Sequence, residues 1–140
     1  MSRINFGRVL LGGLVAGLLM NVGEWLLNDK VLGSQMKDYF ARHNFPQPTG
    51  QAIAVAIVMV FILGIVMVLG YAAIRPRFGA GPKTAIIAAL FAWFGVYVYG
   101  NVLGVAFGIF PSGLLPIVLG WGLVEYVLGA LVGAWLYQEA

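Results

Sequence analysis

Two glutamates, Glu24 and Glu125, sit inside long apolar runs, with Asn21 and Asn101 as their amide companions. No lysine, arginine or histidine is expected at their depth. An isolated carboxylate in a medium of low dielectric is costly and is expected to bind a proton. Buried intramembrane acids of this kind mark proton or cation pathways. The same four side chains can also serve as hydrogen-bonding glue between helices. Both readings stay open for Glu125 and Glu24.

Other chemistry has little to build on. The chain has no cysteine and one histidine, His43, in a polar stretch. That removes disulfides and thiolate metal sites, and it leaves no histidine to hold haem or chlorophyll at membrane depth. No metal site and no cofactor is expected. Ser/His/Asp, Cys/His and HExxH sets are all missing. Glu24 and Glu125 could act together as a general acid and base, but helical rise sets their depths about 10 Å apart. The expectation is a protein that is not an enzyme. GAGPKT at residues 79–84 imitates the end of a phosphate loop, yet a Walker loop needs glycine directly before its lysine and Pro82 stands there.

Composition places these residues in a membrane. Of 140 residues, 61% are hydrophobic and 9% charged. Soluble domains carry about a quarter charged residues, so much of this surface must face lipid. The net charge of +3 sits mostly at the ends of apolar runs, where it acts as a topology signal and not as a nucleic-acid footprint. Arg3 and Arg8 before an apolar run imitate a signal peptide. The run continues past signal-peptide length without a small-x-small cleavage site, so it is expected to be a retained span.

Four transmembrane helices are expected, over residues 4–28, 50–74, 83–110 and 114–137, in an antiparallel bundle forming a single domain over 1–140. Residues 29–49 form an interfacial loop. Within it, Val31, Leu32, Met36, Tyr39 and Phe40 recur at helical intervals, which suits a short amphipathic helix on the membrane surface or an ordinary linker with interfacial aromatics. Thr49 is the expected N-cap of the second span. Arg75-Pro76-Arg77 is expected to stop that span, and Pro82 to open the third. Tyr39, Phe40, Phe110, Trp135 and Tyr137 fit interface belts.

Small residues mark the helix-packing faces: Gly13 and Gly17 in the first span, Gly100, Gly104 and Gly108 in the third, Gly129 and Gly133 in the fourth. Asn21 and Glu24, Asn101, and Glu125 each share a face with one of these stripes. Glu125 falls about 14 Å below Pro116, near the midplane, and Glu24 near the far interface. Arg3, Arg8, Arg75, Arg77 and Lys83 lie on one side, against Lys30, Lys37 and Arg42 on the other. These five basic residues are candidates for contact with lipid headgroups. The positive-inside rule then sets both termini in the cytoplasm of a bacterial inner membrane.

The Gly-rich first span closing on an aromatic (GGLVAGLLMNVGEW), the amphipathic loop after it (VLGSQMKDYF) and the glycine-rich last span (GLVEYVLGALVGAWLY) resemble a family of small bacterial four-helix membrane proteins grouped as a domain of unknown function. The resemblance implies a fold and no activity or site residue. A four-span multidrug exporter of the small resistance type offers an analogy through its first-helix acid, but the long first loop and the second buried acid fit it poorly. The leading expectation is an accessory or assembly subunit packing through its glycine faces. Its partners would be membrane lipids and either further copies of the chain or other membrane subunits, with no nucleic acid. The rival is a proton- or cation-coupled transporter using Glu125 and Glu24.

Overall fold

A computed structural model describes residues 3–140. Most of the described residues are helical and form four helices long and apolar enough to cross a membrane, with one short helix between the first two. We label them α1 (Phe6–Val31), α2 (Gly33–Arg42), α3 (Gly50–Phe78), α4 (Pro82–Ala106) and α5 (Ser112–Leu136). Asn5 caps α1, its side chain accepting from Arg8 N at 3.1 Å. Thr49 caps α3 in the same way, accepting from Ala52 N at 3.1 Å. Pro82 opens α4, where its missing N–H costs nothing.

Several boundaries differ from the sequence reading, and α1 runs on to Val31 where Asn28 was expected to end it. Pro76 does not stop α3, which runs on to Phe78. A proline so near the C-terminus removes only one late hydrogen bond. The helix ends instead at Gly79, whose φ of 87° suits glycine and whose N–H reaches Arg75 O at 2.8 Å. At the other end, α4 stops at Ala106, so Gly108 lies beyond the helix. Its φ is 75°, and it turns the chain while Ile109 N bonds Gly104 O at 2.9 Å.

α1 packs most closely on α3 and next on α5; α4 packs on α5 and α3. α1 and α4 therefore occupy opposite corners, with α3 and α5 between them. The α1 seam is Val9, Gly12, Gly13, Ala16, Gly17 and Met20, stepping by three and four. A Cβ on Gly64 of α3 would lie 2.5 Å from Gly13 O. On Gly12, one would lie 2.6 Å from Gly133 O of α5. The glycines thus set how near the backbones come, the packing mode expected where lipid is as apolar as the side chains. Outward positions are large and apolar, among them Leu10, Leu18, Val55, Val58, Phe91 and Val124.

α4 packs differently from expectation. Its buried seam is Thr84, Ala85, Ala88 and Ala89 in the N-terminal half. Gly100 faces outward with nothing near a built Cβ, and the same is true of Gly108. Gly104 is buried, but against Phe110 of its own turn. Alanine serves the close approach here, while Gly104 and Gly108 serve the helix end and Gly100 faces outward.

The chain ends meet beside α3. Tyr137 Oη accepts from Asn5 N at 3.2 Å and donates to Glu139 Oε2 at 2.8 Å. Arg75 pairs with Glu139 at 2.9 Å, and Ala140 N bonds Arg3 O at 3.2 Å. Tyr137 is buried there against Tyr71, away from the belt role its type suggested. Tyr39 is buried as well, donating to Gly108 O at 2.6 Å, whereas Trp135 is 80% exposed.

Candidate functional site

Glu24 and Glu125 meet inside the bundle. Sequence spacing had set them about 10 Å apart in depth, counting along α1 from Gly7 and along α5 from Pro116, with α1 ending near Asn28. α1 instead continues to Val31 through a π-helical turn over Leu26–Val31. That turn lies beyond Glu24, and the Glu125 carboxyl reaches Glu24 across Gly23. Gly23 makes the meeting possible, since a Cβ there would land on the Glu125 carboxyl.

Glu24 is held from two sides. Tyr97 Oη donates to its Oε1, and Asn28 Nδ2 donates to its Oε2 at 3.1 Å and to its backbone oxygen at 2.9 Å. Tyr97 reaches it from the far corner of the bundle. It sits in a π-helical turn, Phe94–Val98, within α4. Such turns re-aim a side chain by one position and recur at functional sites. Its ring then crosses α5 at Gly122, where a Cβ would lie 2.5 Å from it. Tyr126 packs edge-on against it, with ring centroids 5.2 Å apart.

Glu125 is 5% exposed, and neither of its oxygens has a hydrogen-bond partner. The nearby Trp121 N–H is directed to Gly23 O at 3.0 Å, which pins α5 to α1. A buried polar group without a partner calls for an explanation. Two carboxylates are acceptors only and cannot bond each other, so Glu125 lacks a donor that a proton or a cation would supply. Among the described residues, no lysine, arginine or histidine neighbours the pair, and no three His, Cys, Asp or Glu side chains gather to hold a metal ion.

Two hollows flank this pair. A cleft of about 450 Å³ between α1, α3, α4 and α5 is lined by Glu24, Asn28, Asn101, Tyr97 and Tyr126 along with apolar residues. On the other side of Gly23, a groove of about 510 Å³ between α1 and α5 is walled by Leu19, Leu26, Val124 and Leu128, with Trp121 and Glu125 in it. A further hollow of about 650 Å³ lies between α2 and Pro111–Leu114 and holds neither acid.

The amides do other work. Asn101 donates to Tyr97 O at 2.8 Å and touches neither glutamate, though it lines the cleft. Asn21 bonds Ile57 O of α3 at 3.2 Å, a tie between helices. Among the glycines, Gly13 meets Ile65, Gly17 meets Phe61, Gly129 meets Met20, and Gly133 meets Val68. Of the basic residues, Arg75 is half-buried in its pair with Glu139, while Arg3, Arg8, Arg77 and Lys83 form no ion pair among the described residues. Sequence reasoning missed Tyr97, Tyr126, Trp121 and Gly23 as members of the acid site. A tyrosine inside an apolar run signals only that its hydroxyl needs a partner.

No family model matches this chain, and neither a curated protein nor a solved structure matches it. Among the described residues, the fold and site define an all-helical protein with four helices long and apolar enough to cross a membrane, and two acids side by side between them, Glu125 buried and Glu24 half-buried.

Proposed function

We propose that the chain is a small proton- or cation-linked membrane carrier, not an enzyme, whose exchange site is Glu125 with Glu24. The observation that carries this is the enclosed Glu125 carboxyl, unpartnered and beside a second acid, with open hollows on both sides. A purely structural tie would satisfy its own hydrogen bonds, as Asn21 does. Glu125 is held ready for a proton or a cation instead. Tyr97 and Asn28 steady Glu24 as the acceptor beside it.

The layout we propose with it is an antiparallel bundle in a bacterial inner membrane. Both termini lie in the cytoplasm with Arg3, Arg8, Arg75, Arg77 and Lys83, and α2 lies along the opposite surface. The accessory-subunit reading stands second. Most packing glycines are occupied within the chain, and what favours it is the outward Gly95 and Gly100 of α4 with nothing against them.

The test is flux through the full chain in liposomes, with a pH-sensitive dye inside and an imposed cation gradient. The carrier reading expects proton movement above that of empty liposomes, abolished by Glu125→Gln and reduced by Glu24→Gln. Flux equal to empty liposomes, or flux untouched by Glu125→Gln, would overturn it. Mild-detergent extraction as a complex with other membrane proteins would then favour the subunit reading.

A further inference from the structure

The groove between α1 and α5 differs from the cleft beside Glu24. Its walls are apolar and its mouth opens between Val22, Leu26 and Val124, which are 49%, 36% and 60% exposed on the lipid-facing surface. At its floor lies the one enclosed carboxyl without a partner, with Trp121 also lining the groove. An apolar groove ending in a free acid is complementary to a molecule with an apolar body and a cationic head.

We propose that this groove takes a small lipophilic amine directly from the bilayer, its ammonium on Glu125 and its apolar tail along Leu19, Leu26, Val124 and Leu128. The proposal rests on the reading of Glu125 and Glu24 as an exchange site and names its substrate class. A primary ammonium carries three N–H donors, and Glu125 offers two oxygens that lack one. A cation in low dielectric is tolerable only when paired, and this groove supplies one counter-charge.

Binding then displaces a proton. Glu125–COOH and the incoming ammonium give an ammonium–carboxylate pair and one released proton. That proton passes to Glu24, across the gap left by Gly23, and leaves through the cleft on the other side of α1. The groups facing Glu125 are Glu24 from α1, Tyr97 from α4 and Tyr126 of α5 itself. α3 brings none, for its Tyr71, Arg75 and Arg77 lie at the opposite end of the bundle, with Arg75 and Tyr71 against Tyr137.

The experiment is calorimetric titration of the full chain in zwitterionic nanodiscs with hexylammonium, and with hexanol as the neutral probe of the same tail. Two buffers of different ionisation enthalpy report proton release. The proposal expects saturable binding of the amine with a proton released, and no comparable binding of hexanol. Glu125→Gln should weaken binding by about thirtyfold or more, as truncating one partner of a buried charged contact does. Val124→Trp fills the groove from an exposed position and should also abolish binding, with thermal unfolding showing the fold intact. Equal binding of hexanol means the groove holds any apolar chain, lipid included, and overturns the proposal. Binding that survives either variant overturns it as well. If amine binding fails while cation-driven proton flux persists, the substrate class falls and the carrier reading stands. If no amine binds and Val124→Trp dissociates a dimer, a second copy covers the groove and the proposal falls.

Discussion

Tyr97 donates its hydroxyl to Glu24 from the opposite corner of the bundle, passing over α5 where Gly122 leaves room for its ring. This one hydrogen bond links α1 to α4, two helices that otherwise have little in common. It takes Oε1 of Glu24 and leaves Oε2 to Asn28.

Tyr97→Phe keeps the ring on Gly122 and deletes only that donor. We expect a loss of about 1–3 kcal/mol, the cost of leaving a partner unsatisfied, read by denaturant unfolding in mild detergent. The proton flux should fall with it. Unchanged stability would mean water replaces the hydroxyl without penalty.

Gly122→Ala should be far worse than Gly100→Ala. The first drives a methyl into the Tyr97 ring, 2.5 Å away; the second meets nothing within 4 Å. Overpacking costs about 1–3 kcal/mol, whereas an unobstructed glycine-to-alanine change in a helix gains up to about 1 kcal/mol. Melting temperatures of the two variants, compared with the parent, check the order.

Asn21→Ala removes the bond to Ile57 O and nothing at the acid pair. Interhelical hydrogen bonds in membranes average about 0.6 kcal/mol, so the variant should unfold slightly sooner. Its flux should match the parent's. A large loss of flux would draw Asn21 into the site.

Glu139 joins the two chain ends to α3. The hydrogen bond from Tyr137, with Arg75 beside it, holds its carboxyl below the ordinary 4.5. A depressed folded value contributes stability that is present above 4.5 and is lost as pH falls through the folded value. The stability gap between the parent and Glu139→Gln should therefore be full at neutral pH and close on the acid side of 4.5. Added salt should narrow it, because the pair is near the surface. Burial, with Glu139 adding to it, raises the Tyr137 phenol above 10.0. That stability is present below 10.0 and is lost as pH rises through the folded value. Thermal unfolding across both ranges measures each arm.

Four long apolar helices, the capping by Thr49 and Pro82, and the seams at Gly13, Gly17, Gly129 and Gly133 were legible in residue type and spacing alone. Each depends on local rules: length against bilayer thickness, side chains bonding nearby backbone, small residues repeating every turn. The meeting of Glu24 with Glu125 was not legible. It depends on Gly23 leaving a gap that the Glu125 side chain enters, and the bond from Tyr97 depends in turn on Gly122 leaving room for its ring. The same limit hid the alanine seam of α4, because Ala85, Ala88 and Ala89 become an interface only when α3 and α5 arrive beside them. Local sequence decides which stretches become helices and which faces are narrow. Register and rotation between helices are settled by the packing of all four at once, so only the tertiary structure could bring two acids a hundred residues apart into one site.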